Sequence, residues 1–393
     1  MTDTALLRKQ LVDHLVSRGV LRSSQWRTVF ETVPRDVFLP RFFTRTDDGL
    51  RYAAVDFRDS RWLDLVYRDQ AWTTQLDGDD HIWQTAYSQG PVAGTPTSSS
   101  SQPSLMAAML ESLDVQDGSR VLEIGTGTGY NAALLSQRLG DSHVVSIDID
   151  PTLAKSASDC LARAGYHPTI VIGDGINAHI PGSPFDRLIA TVAVSAIPAT
   201  WLSQIQSGGR ILANLDSELG GGALISLTVN NDGSASGNFD ATTAFFMPTR
   251  SRSQTSSSAV LLKAALRDTR TTKAGQSRCD PGILDNQEFL FFASLLLPDV
   301  SRMGFTPIDN EPQEWLLACD GSWAYCTPSG LTSQVGNRAL WDELDAAVDQ
   351  WHQLDQPARQ RFGLTITTKT GHQLWLDKPE AVLHCKLGAQ LAS

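Results

Sequence analysis

Residues 120–136 constrain this chain more than any other stretch. Arg120 to Ile124 is a short apolar run suited to a buried strand. Gly125, Gly127 and Gly129 follow at alternate positions, and Asn131-Ala132-Ala133-Leu134-Leu135-Ser136 resumes as a helix. Strand, glycine turn and helix in that order make a nucleotide-binding type of turn. Glycine is needed where the backbone bends sharply and lies against a ligand, because a Cβ there would clash. The spacing is GxGxG, one residue tighter than the GxGxxG dinucleotide turn, and Glu123 stands two residues before the first glycine. Gly125, Thr126, Gly127, Gly129 and Tyr130 are therefore candidate ligand-binding residues. Alone, the pattern also suits a glycine-rich turn in another α/β protein.

The next segments narrow the choice. Residues 142–147 read as a second buried strand ending in Asp148, where an acid can accept both ribose hydroxyls of an adenosine. Ile149 beside it joins the cofactor-binding set. Asp150 is a nearby competitor, but Ile149-Asp150-Pro151 reads as the turn into a helix over 152–164. A third strand, 169–172, ends in Gly173-Asp174-Gly175, an acid on a tight turn suited to an adenine amino group. A fourth, 185–191, ends at Thr191, on the floor of the site. Four strand–turn units in order, each with a polar group at its carboxyl end, predict a Rossmann-like, doubly wound α/β sheet binding its ligand along that edge. E-x-G-x-G-x-G after a strand is similar to the first motif of class I S-adenosylmethionine (SAM) methyltransferases. That resemblance implies SAM as cofactor, S-adenosylhomocysteine as product, and Glu123 positioning the glycine loop and the cofactor's amino group.

At 393 residues the chain can bury one or two substantial cores. A formal charge of −11 without a Lys/Arg run argues against nucleic acid as partner. No apolar run reaches membrane-spanning length, and the N-terminus shows no signal-peptide core. Cys160, Cys279, Cys319, Cys326 and Cys385 are scattered and form no CxxC, which predicts a reducing cytoplasm and no metal site. Cys319 and Cys326 straddle an apparent hairpin and read as cross-strand neighbours.

Residues 5–19 carry Leu6, Leu7, Leu11, Val12, Leu15 and Val16 at helical spacing, and a second helix covers 24–32. Val33-Pro34-Arg35-Asp36-Val37-Phe38-Leu39-Pro40 resembles the "VPRexFvP" segment of protein-L-isoaspartate O-methyltransferases, as Leu15 to Gly19 resembles their "Leu-x-x-x-Gly" helix ending. Residues 44–97 hold Trp62, Tyr67, Trp72, Trp83 and Tyr87 with Arg51, Arg58, Arg61 and Arg68. They read equally as a surface insertion or as a peptide-binding wall. Ser99-Ser100-Ser101-Gln102-Pro103 stands where that family carries T-I-S-Q-P. Serines before a helix over 103–113 suit a loop that wraps an anion with hydroxyls and helix N-terminal amides; a Ser-rich linker is the alternative. The resemblance covers about residues 5–250. It implies carboxyl O-methylation, with Ser99, Ser100 and Ser101 catalytic, and Ser99 and Ser101 orienting the carboxylates of cofactor and substrate.

Residues 251–258 (SRSQTSSS) read as a linker. The expected partition is 1–98 for N-terminal helices and a substrate-side insertion, 99–250 for the SAM-binding core, and 259–393 for an α+β domain recognising a peptide. The last region shows an apolar stretch at 289–297, a hairpin over 315–326, a helix over 338–354 and strands at 362–367 and 372–376. It is a region that isoaspartate repair enzymes are expected to lack. It carries Trp315, Trp323, Trp341, Trp351 and Trp375, an interface-like richness, of which Trp341 and Trp351 read as core. His352, His372 and His384 are spread out and read as structural. The whole chain resembles the actinobacterial methyltransferases of ribosomal peptide maturation, those paired with ATP-grasp ligases (graspetides) first and lanthipeptide-associated ones after them. That resemblance implies a peptide substrate whose aspartate is esterified and closes to an aspartimide. The alternatives are an isoaspartate repair enzyme and a SAM-binding, non-catalytic partner of a maturation complex.

Overall fold

A computed structural model describes residues 4–250, 258–307, 311–367 and 371–383. Most of the expected linker, with His384 and Cys385, lies outside the described residues. The chain divides into two compact units. One is Met1–Val192 with Thr200–Leu212, and the other is Ala193–Ala199 with Ala213–Ser393.

The first unit opens with helices α1 (Thr4–Ser17), α2 (Ser24–Thr32) and α3 (Arg35–Phe38). Four short strands follow: β1 (Arg41–Arg45), β2 (Tyr52–Asp56), β3 (Trp72–Leu76) and β4 (Pro96–Ser100). They form an antiparallel sheet in the order β2-β1-β3-β4. Helix α4 (Trp62–Val66) and helix α5 (His81–Gln89) are inserted between its strands. This sheet is what the aromatic-rich stretch 44–97 builds. Phe43, Tyr52, Leu76, Trp83 and Ala86 form its own apolar cluster, and Tyr67 and Trp72 are buried as well. The stretch is thus a folded element whose aromatics mainly fill its interior. Tyr87, stacked 5.0 Å from Trp83, remains exposed with Phe57.

Helix α6 (Pro103–Leu113) leads into the parallel part: β5 (Val121–Ile124), α7 (Tyr130–Leu139), β6 (Val144–Asp148), α8 (Pro151–Ala164), β7 (Thr169–Ile172) and β8 (Phe185–Val194). Strand β5 pairs in parallel with β6 and β8, and β6 with β7. Central strands need apolar residues on both faces, and Val121, Leu122 and Ile124 are all buried. The chain boundary between units falls within β8 and within β9 (Ile205–Leu215).

In the second unit the hairpin β10 (Ala223–Val229) and β11 (Ala235–Thr243) is joined by β17 (Phe362–Thr367), with Ser236 opposite Thr365. Next come β18 (Gly371–Leu376) and β19 (Val382–Leu383). A chain cut after Arg250 would therefore leave the β11 edge unpaired. A separate antiparallel sheet runs β12-β16-β15-β14-β13, from Lys273–Gln276, Leu331–Val335, Trp323–Cys326, Gln313–Ala318 and Val300–Phe305. In it Cys326 faces Glu314, and the exposed Cys319 lies beyond the strand end. This corrects the expected cross-strand cysteine pair. All five tryptophans of the region are buried. Trp315 and Trp323 pack 5.2 Å apart in a cluster with Leu262, Leu317 and Val335. The interface reading of Trp315, Trp323 and Trp375 is corrected: they are core. His372 is structural, its Nε2 accepting from the Ile197 amide at 3.0 Å, and burial pushes its pKa down to about 4. Among the described residues no helix is long and apolar enough to cross a membrane.

Candidate active site

The glycine turn leaves β5 at Ile124 and is fixed from the β6 side. Gly125 N–H and Thr126 N–H both donate to Ile147 O, at 2.9 and 3.3 Å. Gly125 has φ +97°, and a Cβ there would come within 2.8 Å of Val192 Cγ1. Only glycine satisfies both conditions. At Gly175 the limit is steric alone: a Cβ would lie 2.8 Å from Ile124 Cγ2.

Asp148 ends β6 and is nearly buried. Its Oδ2 accepts from Gly127 N–H at 2.9 Å and its Oδ1 from Asp150 N–H at 3.0 Å. An ionised carboxylate has about four lone-pair positions, so two remain for a diol. Asp150 caps α8, its Oδ1 accepting from Thr152 N–H at 2.8 Å and Leu153 N–H at 3.2 Å. Asp150 thus serves the helix. Ile149 between them is 42% exposed, and Ile172, opposite Asp148 in the β6–β7 register, is exposed too. An acid with spare acceptors beside exposed apolar side chains fits a ribose joined to a flat apolar base. Asp174 lies at the end of β7, half-buried, with Oδ1 on Ile176 N–H and Oδ2 on Asn177 Nδ2, at 2.9 and 2.8 Å. Gly173 N–H donates to Asp148 O at 2.9 Å, tying the two acidic turns together. Thr191 Oγ1 donates to Gly125 O at 2.7 Å and Ile124 O at 3.1 Å, bracing the turn from below.

Three candidate side chains are buried within the protein. Glu123 is wholly buried, and its oxygens accept from Asn131 Nδ2 at 2.7 Å and Ser146 Oγ at 2.6 Å. Ser146 Oγ also meets Thr126 Oγ1 at 2.6 Å, and Thr126 is buried. Tyr130 is buried, 5.7 Å from the Phe38 ring with the Arg35 guanidinium 6.0 Å from its ring centre. Burial pushes its phenol up to about 12. The expected side-chain contacts of Glu123, Thr126 and Tyr130 with a cofactor are corrected accordingly. These side chains support the loop from behind, and Glu123 cannot reach a cofactor's amino group.

Burial pushes the Glu123 carboxyl up to about 7, opposed by the Ser146 and Asn131 hydrogen bonds. A pKa raised on folding gives a contribution that is full below the unfolded value and lost as pH rises through the folded one. Between about pH 4.5 and pH 7 this group therefore costs stability, on the order of 3 kcal/mol in all. Glu123→Gln does not titrate, and the Ser146 hydroxyl can turn to accept from the amide. Chemical denaturation should show this variant gaining on the parent by that amount between pH 5 and pH 8. A difference independent of pH would refute the assignment.

The serine stretch is not a loop. Residues 96–100 form β4, paired with β3, and alternation along a strand sorts the serines. Ser98 and Ser100 are buried. Ser98 Oγ accepts from Thr74 Oγ1 at 3.0 Å, and Ser100 Oγ receives Arg35 Nη2 at 3.5 Å. This corrects the catalytic expectation for Ser100. Ser99 and Ser101 are partly exposed, and among the described residues their hydroxyls have no hydrogen-bond partner. The strand lies against the glycine turn: a Cβ on Gly127 would sit 3.7 Å from Ser99 O. The serine hydroxyl nearest that point is the buried one of Ser98, at 4.0 Å, while the unengaged hydroxyls of Ser99 and Ser101 belong to the same segment.

Arg35, from the Val-Pro-Arg segment, is a functional residue that local sequence does not mark. It is fully buried, and its guanidinium donates to the carbonyls of Val66, Arg68, Gln70 and Ser101 at 2.7, 2.9, 3.0 and 3.2 Å. It clamps the turn before β3 to the end of the serine strand. Burial lowers its pKa to about 10, which leaves it charged at neutral pH.

Residues 77–254 match the model of a family described as protein-L-isoaspartate(D-aspartate) O-methyltransferase. A protein-L-isoaspartate O-methyltransferase of Hyperthermus butylicus is 31% identical over 215 residues, covering 52% of this chain and 73% of the relative. Protein-L-isoaspartate O-methyltransferase 2 of Rhodopseudomonas palustris is 35% identical over 189 residues, covering 48% and 79%. A solved structure named protein-L-isoaspartate O-methyltransferase shares the fold with a TM-score of 0.53 at 22% identity, covering 94% of this chain and all of that one. That coverage extends well past residue 250. The expectation that proteins of this kind lack the C-terminal region is therefore corrected.

Proposed function

The chain belongs to the protein-L-isoaspartate O-methyltransferase family of SAM-dependent carboxyl O-methyltransferases, and from that premise we propose that it esterifies an aspartate side chain in one ribosomally made, constrained peptide. The observation that supports the acceptor chemistry is the pair of partly exposed, unengaged hydroxyls of Ser99 and Ser101, on and just past the strand whose Ser99 carbonyl lies near Gly127. SAM supplies an electrophilic methyl on a sulfonium. The acceptor carboxylate is already ionised at neutral pH and needs no general base. What the protein must do is align it in line with the methyl and strip it of water. Ser99 and Ser101 do the aligning, Asp148 holds the ribose, and Asp174 receives the adenine amino group. Gly125, Gly127 and Gly129 let the loop approach the cofactor, with Gly173 and Gly175 shaping the adenine side and Ile149 packing on the base. The region 259–393 contributes peptide recognition through its exposed groups, since its tryptophans are spent on its own core. An aspartyl ester has a better leaving group than the free acid, and the next backbone nitrogen is tethered to it. Ring closure to an aspartimide then benefits from high effective molarity.

Support for a peptide-maturation role is the resemblance of the SSSS-Q-P strand, the core and the C-terminal region together to the ribosomal-peptide methyltransferases. Repair of isoaspartyl residues is the second reading. It is favoured by the solved isoaspartate methyltransferase that covers 94% of this chain. Incubation with SAM and either an isoaspartyl test peptide or any short peptide encoded beside the gene, followed by mass spectrometry, separates them. The maturation reading expects addition of a methylene to the encoded peptide and then loss of methanol. Activity confined to the isoaspartyl peptide would replace it by repair, and activity on neither would leave a SAM-binding partner protein.

Removing either free hydroxyl should slow methylation without unfolding the protein. A hydrogen bond to a charged group contributes about 1.5–3 kcal/mol, so Ser101→Ala should lower the single-turnover rate roughly 10- to 100-fold. Ser100→Ala, on the buried face, should lower it far less. A parent rate in both Ser99→Ala and Ser101→Ala would remove the strand from the chemistry.

A further inference from the structure

Strand β3 carries an irregularity that the methyl-transfer reading does not use. Thr73 is opposite Ser99, and Gln75 is opposite Ser98, so Thr74 is an extra residue in the pairing. A bulge of this kind re-aims the side chain that follows it. Here it delivers Gln75, 1% exposed, out of its own sheet and onto the turn after β6. Gln75 Nε2 donates to Asp150 Oδ2 at 3.1 Å and lies 3.3 Å from Asp80 Oδ1, while its Oε1 accepts from Thr97 Oγ1 at 2.9 Å. Asp150 in turn donates its N–H to Asp148 Oδ1 at 3.0 Å. One buried amide thus links the sheet that carries Ser99 to the end of β6 that carries Asp148.

We propose that Gln75 is a positioning residue for the methyl-transfer reaction: through Asp150 it fixes the orientation of Asp148 toward the cofactor diol, and it holds the serine strand in register with that turn. The amide suits this place for a physical reason. Asp150 and Asp80 both present carboxylate oxygens to it, and a neutral group with two N–H donors serves both without adding charge. A buried acceptor left without its donor would instead re-orient or take in water. The inference rests on the reading of Asp148 as the ribose acceptor.

The test is titration of full-length protein with S-adenosylhomocysteine by calorimetry at pH 8 and pH 6, with thermal melts alongside. Gln75→Met keeps the length and removes both donors. It should weaken binding about 5- to 20-fold at both pH values, at or below the low end for a hydrogen bond to a charged group because Gln75 acts on the cofactor only through Asp150 and Asp148. Gln75→Glu places a third carboxyl beside Asp150 and Asp80. At pH 8 it should bind at least as poorly. At pH 6 the crowded carboxyl holds a proton, regains an O–H donor, and binding should recover toward the parent. A purely space-filling role would show no such rescue. Should Gln75→Met fail to fold, Gln75→Asn, with the amide withdrawn by one methylene, should show the same weakening. Parent affinity in the folded Gln75 variants, or a Gln75→Glu deficit unchanged between pH 8 and pH 6, overturns the proposal. Parent affinity in Asp148→Ala would instead overturn the ribose reading beneath it.

Discussion

Arg35→Met is expected to destabilise the first unit by roughly 3–5 kcal/mol, a drop on the order of 10 °C in its melting temperature. The side chain is fully buried and meets four carbonyl oxygens and a serine hydroxyl rather than a carboxylate. Methionine fills much of the volume but donates nothing. The carbonyls of Val66, Arg68, Gln70 and Ser101 would each lose a charge-assisted partner in a place that water reaches poorly. Arg35→Lys keeps the charge but offers one nitrogen where the guanidinium spans several acceptors, so it should fall between parent and Met. Because Ser101 O is one of the four carbonyls, the loss should not be confined to stability. The serine strand would loosen beside the glycine turn, and methylation should fall even at temperatures where the variant stays folded. A melting temperature within about 2 °C of the parent would show that the clamp is dispensable.

Which of these features could be read from the sequence follows from how local their causes are. The glycine turn, Asp148 and Asp174 sit at the ends of strands that the runs 120–124, 142–147 and 169–172 already mark, whereas Thr191, read as the end of a strand over 185–191, lies inside one that continues to Val194. Their chemistry and their secondary structure lie in the same few residues. Helices 24–32 and 103–113 were legible for the same reason: their boundaries are set by a nearby serine cap and by Pro103. The serine stretch was not. Serine favours turns locally, and only pairing with Thr73 and Gln75, more than twenty residues away, makes 96–100 a strand. That pairing decides which hydroxyls are buried, so the fates of Ser99 and Ser100 could not be told apart beforehand. The tryptophans of 315–375 and the aromatics of 44–97 failed differently. Composition alone does not distinguish an aromatic that fills a small core from one that greets a partner, and here most fill cores. Strands 362–367 and 372–376 were visible as strands, but not that β11 is the neighbour of the first. Gln75 had no signal at all, because a bulge is a property of the pair rather than of either strand.

Asp148→Ala is expected to weaken SAM binding by about two to four orders of magnitude. Two hydrogen bonds from the ribose hydroxyls to a charged acceptor contribute about 1.5–3 kcal/mol each, or about 3–6 kcal/mol together, and each 1.4 kcal/mol is tenfold in affinity. The same substitution also frees Gly127 N–H and Asp150 N–H, which Asp148 now holds at 2.9 and 3.0 Å. The glycine turn would lose one of its tethers to β6, the others being the amides of Gly125 and Thr126 on Ile147 O and the Thr126 hydroxyl on Ser146 Oγ. Part of the lost affinity would therefore come from a less ordered turn. Asp148→Asn separates the two contributions. It keeps one acceptor oxygen for the loop and loses the charge, so it should restore the turn while binding SAM more weakly than the parent. Calorimetry with SAM, S-adenosylhomocysteine and NAD on all three proteins decides the matter. The parent should bind the first two and ignore the third, since the turn is GxGxG and not GxGxxG. SAM affinity unchanged in Asp148→Ala, or NAD binding by the parent, would mean that the carboxyl edge of this sheet holds its ligand in some other way.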